Sequence, residues 1–458
     1  MKHSGSWRTR FGFYLLALGS AFSLGNLWRF PFVVGENGGG AFVLLYFFLC
    51  LLIGLPILIC ELILGRSWGA SIMTAMHNLS KQCPTPWLAF WTKWTGRLSV
   101  LVCLVVLSYY SVISGWVLHY LTRFIVIWFH QDPELLNPQI LIDHGWLQFL
   151  LSSVHILIVS FVVVKGIQEG LERWISYLMP PFGILVLVLV IQSLSLSSSP
   201  DVLRFLFYPD FSKLTFSSLS HALGHVFFTL SVGFGTMVAF GSYLRSEEHL
   251  PTAGYRVSLV DALVSMVALL LVFPVAFQAS ANKAADPMLL FDVIPRFLFQ
   301  MKGGGIFGIL FFLCLYFAAL NATLALFEGL VANVGEAFRR IGRTRSTWLS
   351  GLMVLILSVG PSLLSSPLSS RIPHRSLIEV MDGILVNWIL PVIALGISVS
   401  FAWIVPEAIK QKNFIDPKRF VSLSMYSHWT FALRWFVPAV ITLGLILQIY
   451  GALRNSSL

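Results

Sequence analysis

Gly19-Ser20-Ala21-Phe22-Ser23-Leu24-Gly25-Asn26-Leu27-Trp28-Arg29-Phe30-Pro31 sits within one long apolar run, and Phe228-Thr229-Leu230-Ser231-Val232-Gly233-Phe234-Gly235 sits within another. Each places small and polar residues at mid-membrane depth. One such stretch alone reads as close helix packing through small residues. Two of them, opening consecutive five-span blocks, read as helices broken at corresponding places in two halves, as in transporters with inverted repeats and a midplane site. An unwound stretch frees N–H groups at the start of one half-helix and carbonyls at the end of the other. The N–H end suits a carboxylate. The carbonyl end suits an ammonium group or Na+, so a zwitterionic amino acid fits both.

The rest of the chain supports a membrane setting. Of its 458 residues, 57% are hydrophobic and 11% are charged, against roughly 25% charged in a soluble domain. The mean hydropathy is +0.82. Runs of about 20 apolar residues, the length that spans a bilayer as a helix, recur at 11–34, 41–65, 87–124, 146–165, 173–194, 218–243, 253–279, 304–338, 347–365, 376–404 and 428–451. The pattern predicts an all-α integral membrane protein: a single domain over 1–458, with one repeat at about 8–195, a second at about 216–405, and an additional C-terminal span. Residues 66–80 read as a surface helix, and 287–302 as an outer loop with short helices. With the N-terminus in the cytoplasm, about two thirds of the 30 Lys and Arg residues fall in inner segments, as the positive-inside rule requires. The C-terminus is then outside. The net charge of +10 is spread over short loops, which argues against nucleic-acid binding. The five cysteines form no CxxC or Cys/His cluster, and no HExxH or GxSxG marks an enzyme.

Gly25-Asn26-Leu27-Trp28-Arg29-Phe30-Pro31, Glu36-Asn37-Gly38-Gly39-Gly40-Ala41-Phe42 and Phe227 to Gly235 together resemble the neurotransmitter:sodium symporter family in its bacterial amino-acid-transporter form. The resemblance covers essentially the whole chain and implies a 5+5 inverted-repeat bundle with helices 1 and 6 broken. It implies symport of a small amino acid with one or two Na+ ions. A first sodium site would use the Ala21 carbonyl, Asn26, Thr229, Asp261 and the substrate carboxylate. A second would use the carbonyls of Gly19, Phe22 and Ala318 with the Asn321 side chain. Substrate would lie against Ser20, Ala21, Leu24, Gly25, Val106, Tyr110, Phe228, Thr229, Ser231, Phe234, Ala322 and Leu326, with Tyr110 on its carboxylate. Arg29 and Asp382 would form an outer gate, and Trp7, Tyr243 and Glu336 an inner one. Gly170 and Pro180 stand at a spacing that some relatives use to unwind the fifth helix. Oxygen ligands suit a hard cation.

Departures from the family pattern narrow the reading. Ser23 replaces the Asp of amine transporters, favouring a substrate that brings its own carboxylate. Asp261 stands where leucine-transporter types have Asn, and Ser265 where chloride-dependent relatives have a chloride-ligating serine. An aspartate at membrane depth is a functional candidate by default. Here it supplies a fixed negative charge and predicts chloride independence. Ala322 removes a hydroxyl from the second sodium site. Ser4 replaces an inner-gate arginine, with Lys2 or Arg8 as substitutes. His225 stands where the family often has Gln. Glu61 reads as a buried structural carboxylate. The expected function is sodium-coupled uptake of a neutral, hydrophobic amino acid across a bacterial inner membrane, by a monomer or weak dimer. A binding-only sensor and a proton-coupled transporter remain as alternatives.

Overall fold

The computed structural model describes residues 14–15, 19, 23–130, 132–244, 247–279, 289–338, 341–363, 377–415 and 423–456. Among these, nine helices are long and apolar enough to cross a membrane: Gly40–Trp68, Pro86–Phe129, Gly145–Val163, Ile167–Leu194, Leu250–Ala279, Gly304–Ala337, Arg343–Leu363, Leu377–Ile404 and Leu423–Leu453. They match the second to fifth and seventh to eleventh expected spans. The sixth falls short because it is interrupted, and the first is described only in part. The described part of the first span is a π-helical turn, Gly25–Arg29, followed by Phe30–Glu36. The sixth is two helices, Phe216–Thr229 and Thr236–Tyr243.

Boundaries moved where backbone chemistry outweighed hydropathy. The second span runs on to Trp68 and stops at Gly69, which takes a left-handed conformation (φ 55°) that glycine adopts freely. The surface helix is therefore the shorter Ile72–Ser80, not 66–80. The outer-loop helix is Val293–Gln300. Helices Ser199–Phe207 and Glu407–Phe414, outside the spans, were not anticipated. The fifth span begins with a π-helical turn over Ile167–Glu172, which contains Gly170, and continues as an α-helix through Pro180 and Pro181. The Gly170–Pro180 spacing thus corresponds here to a widened turn and an intact helix, not to an unwound stretch.

The third span is the axis of the bundle and the eleventh its margin. The apolar window is 83% buried in the third and 22% buried in the eleventh. The second span and the inner half of the sixth meet through glycines. A Cβ on Gly65 would lie 1.9 Å from the Val238 carbonyl oxygen, and one on Gly241 would lie 2.5 Å from that of Leu62. Small residues let backbones approach this closely where lipid provides no hydrophobic drive between helices.

Candidate functional site

The sixth span breaks at its midpoint because the backbone there leaves the helical region. Ser231 has φ 53°, Gly233 φ 88° and Gly235 φ 76°. Ser231 is the only non-glycine at positive φ among the described residues, a strained state that persists only when its surroundings enforce it. Val232 N–H donates to the Phe227 carbonyl (2.9 Å). Gly233 N–H donates to Glu61 Oε1 (2.7 Å). Glu61 comes from the second span and is fully buried. It satisfies a backbone donor that the missing helical turn would otherwise have served.

Beside the break sits Asp261, fully buried on the seventh span. Its Oδ2 accepts from Tyr46 Oη (2.6 Å) and Thr229 Oγ1 (3.1 Å). Ser265 Oγ lies 3.0 Å from Tyr46 Oη and donates to the Asp261 carbonyl (2.8 Å). Asn26 lies against Asp261 from the first span. Asp261 Oδ1 is buried without a hydrogen-bond partner. A buried carboxylate oxygen left open, next to an amide and a hydroxyl, is a donor set suited to Na+. Tyr46 escaped the sequence reading, its only signal being a single tyrosine inside an apolar run.

Two of the residues expected to meet substrate, Tyr110 and Phe228, lie against the described start of the first span. Leu24 N–H donates to Tyr110 Oη (3.0 Å), so Tyr110 takes a backbone donor of the first span. The Phe228 and Phe234 rings meet edge to face at 6.0 Å. Phe228 also lies over Gly25, where a Cβ would stand 2.6 Å from its ring. Val106, Thr229, Ser231, Ala318, Ala322 and Leu326 are buried. Ser20, Ala21 and Phe22 lie outside the described residues. At the expected second ion site, Asn321 packs against Gly19, with 3.2 Å from a Gly19 Cβ to the amide carbon. Asn321 Nδ2 donates to Met179 Sδ (3.5 Å), and its Oδ1 is buried with no partner.

Arg29 Nε of the first span donates to Asp382 Oδ2 of the tenth (2.8 Å), a nearly buried ion pair. Arg29 also donates to Asn387 Oδ1 (2.7 Å) and lies 3.4 Å from His225 Nδ1. Tyr109 donates to Asp382 Oδ1 (3.0 Å). His225 stacks on Phe30 at 4.4 Å. Tyr243, of the expected inner gate, also meets two residues that expectation did not include. Tyr243 donates to Glu328 Oε1 (3.1 Å), and Arg343 grips both Glu328 oxygens (2.6 and 3.1 Å) while donating to the Val163 carbonyl. Glu336 accepts from Ser71 N–H (2.8 Å) and Oγ (2.6 Å), just ahead of the surface helix. Glu328 and Arg343 were missed, since a helix-end Arg and a buried Glu fifteen residues apart carry no spacing signal. Trp7 lies outside the described residues.

Comparisons with known proteins bear on the family and the fold. The family model described as "Sodium:neurotransmitter symporter family" matches residues 4–141 and 141–455. An uncharacterized sodium-dependent transporter of Bacillus subtilis, YhdH, is 32% identical over 456 residues, covering 98% of each chain. The Bos taurus sodium-dependent neutral amino acid transporter B(0)AT2 is 27% identical over 310 residues, 60% of this chain and 41% of its own. The crystal structure of MhsT in complex with L-phenylalanine superposes with a TM-score of 0.86 at 30% identity, covering 97% of this chain and 99% of that one. The chain belongs to the sodium:neurotransmitter symporter family, a family of sodium-dependent secondary transporters and not of enzymes.

Proposed function

We propose that this transporter couples inward movement of Na+ to uptake of a neutral, hydrophobic amino acid, by alternating access and without chloride. The carrying observation is the buried Asp261 carboxylate, ringed by Tyr46, Thr229 and Asn26 at the junction of the two breaks. A fixed anion there offsets the sodium charge that a bound chloride would otherwise offset. The backbone ends at the two breaks take the substrate's charged groups. The Phe228–Phe234 pair and the apolar Val106, Ala322 and Leu326 favour an apolar side chain. The likeness to a structure holding L-phenylalanine supports the same substrate class.

The ion sites are the cluster of Asn26, Thr229 and Asp261 and, with one hydroxyl fewer than the family pattern, the neighbourhood of Asn321. A 100 mV potential contributes about 2.3 kcal/mol per charge, and a tenfold sodium gradient adds about 1.4 kcal/mol per ion. One ion therefore supports accumulation on the order of 500-fold, and two on the order of 10⁵-fold.

The test is uptake of a radiolabelled neutral amino-acid panel into proteoliposomes, with sodium or potassium outside and with or without chloride. Sodium-driven, chloride-indifferent accumulation of a few apolar members is the expected result. Uptake driven equally by a proton gradient in potassium would sink the sodium reading. Binding without accumulation would make the protein a sensor.

A further inference from the structure

The surface helix Ile72–Ser80 lies across the start of the third span, close enough that a Cβ on Gly96 would stand 2.8 Å from Met76 Cβ. Lys81 follows this helix, and Lys93 and Arg97 sit one turn apart on the span. All three cations act on His77, whose imidazole is held below its usual range by lost solvation and then by the fields of Lys81, Lys93 and Arg97. Residues 81–100 contain no Asp or Glu. Among the described residues none of the three cations pairs with a carboxylate.

The same stretch exposes Trp87, Phe90, Trp91 and Trp94, with Trp87 70% and Trp94 45% exposed. The rings step along the helix, Trp87 to Trp91 at 5.9 Å and Phe90 to Trp94 at 5.8 Å. The Arg97 guanidinium lies over Trp94 at 5.2 Å. Rings of this kind at a span end sit at headgroup level, where basic clusters attract anionic lipid. A free phosphate would satisfy the cations and leave the indoles in water, whereas a phospholipid covers both. We propose that Lys81, Lys93 and Arg97, with Trp91 and Trp94, seat an anionic phospholipid, its phosphate on the cations and its glycerol and first acyl carbons on the indoles. The inference does not depend on which substrate is transported.

The experiment is native mass spectrometry of the full chain released from nanodiscs of phosphatidylcholine mixed with phosphatidylglycerol. Wild type is expected to retain phosphatidylglycerol in preference to phosphatidylcholine, and less so at high salt. Retention should fall roughly fivefold for each cation removed, so about 25-fold in Lys93→Gln/Arg97→Gln. Trp94→Ala should lower it with the cations intact. If the double variant melts early, Lys93→Gln alone, at a half-exposed position, carries the same test with its roughly fivefold loss. Undiminished retention in a folded cation variant overturns the proposal. So does displacement of the lipid by millimolar inorganic phosphate, which would mark a soluble-anion site.

Discussion

Asp261 and Glu61 are both carboxylates buried at membrane depth, and they do different work. Asp261 keeps one oxygen without a protein partner, so its charge is available to an ion. Glu61 likewise leaves Oε2 without a partner, but its Oε1 accepts from Gly233 N–H, so it holds the positive-φ backbone of the sixth span in place. Replacing Asp261 with Asn removes the fixed charge while keeping shape. Uptake by Asp261→Asn should become severalfold stimulated by chloride, read as initial rates at matched sodium. A folded variant with no chloride response would remove the charge-compensation argument. Glu61→Ala strands a buried backbone donor and should cost about 1–3 kcal/mol of stability, with Glu61→Gln recovering much of it because the amide oxygen still accepts. Melting of the purified variants decides this. At Gly25, adding a methyl group would press on the Phe228 ring at 2.6 Å. Gly25→Ala should therefore weaken substrate binding more than it lowers the melting temperature.

At the scale of elements, contacts between spans depend on backbone proximity. The second span and the inner half of the sixth touch backbone to backbone at Gly65 and Gly241, so there is no flexible side chain to yield. Gly65→Ala should destabilise by at least the 1–3 kcal/mol typical of overpacking, to the order of magnitude, and should reduce the folded fraction seen by size-exclusion chromatography. The helix Glu407–Phe414 tethers the eleventh span through Glu407. That carboxylate accepts from Tyr426 and pairs with Arg434 (2.8 Å) and Lys410 (3.2 Å). Burial alone would raise the Glu407 pKa, but the Tyr426 hydroxyl, Lys410 and Arg434 together hold it below the usual carboxylate range. A depressed folded-state pKa gives stability above the unfolded value of about 4.3 that is lost as pH falls through the folded value. Melting temperature should drop between about pH 5 and pH 3, and Glu407→Gln should flatten that part of the profile. An unchanged profile would show that the tether contributes nothing.

For the whole molecule, Arg29 ties the first span to the sixth and tenth through Asp382, Asn387 and His225. Breaking one partner of a buried, hydrogen-bonded charge pair leaves the other charge uncompensated. Asp382→Asn should thus shift the population toward an outward-open state, speeding substrate release severalfold in dissociation assays and exposing cysteines placed in the outer vestibule to thiol reagents. Unaltered labelling would remove the pair from the gating step. A second polar cluster joins Tyr243, Glu328 and Arg343.

The apolar spans and the break in the sixth were legible in the chain because hydropathy, glycine spacing and polar residues at mid-span are local properties. Even Asp261 announced itself, since a carboxylate in an apolar run has no cheap reason to be there. Local pattern could not show which distant group meets which. The bonds from Tyr46 to Asp261, Glu61 to Gly233 and Arg343 to Glu328 join residues 215, 172 and 15 positions apart. The bond from Tyr243 to Glu328 was hidden for the same reason. The widened turns at Cys50–Gly54, Ile167–Glu172 and Leu385–Ile389 likewise left no trace in hydropathy, because a π-turn changes one hydrogen-bond register without changing how apolar the segment is. Sequence determined what must lie in the membrane and where its helices give way. Tertiary packing decided which polar groups, once buried, found one another, because inside lipid each must satisfy its hydrogen bonds with whatever partner the bundle brings within reach.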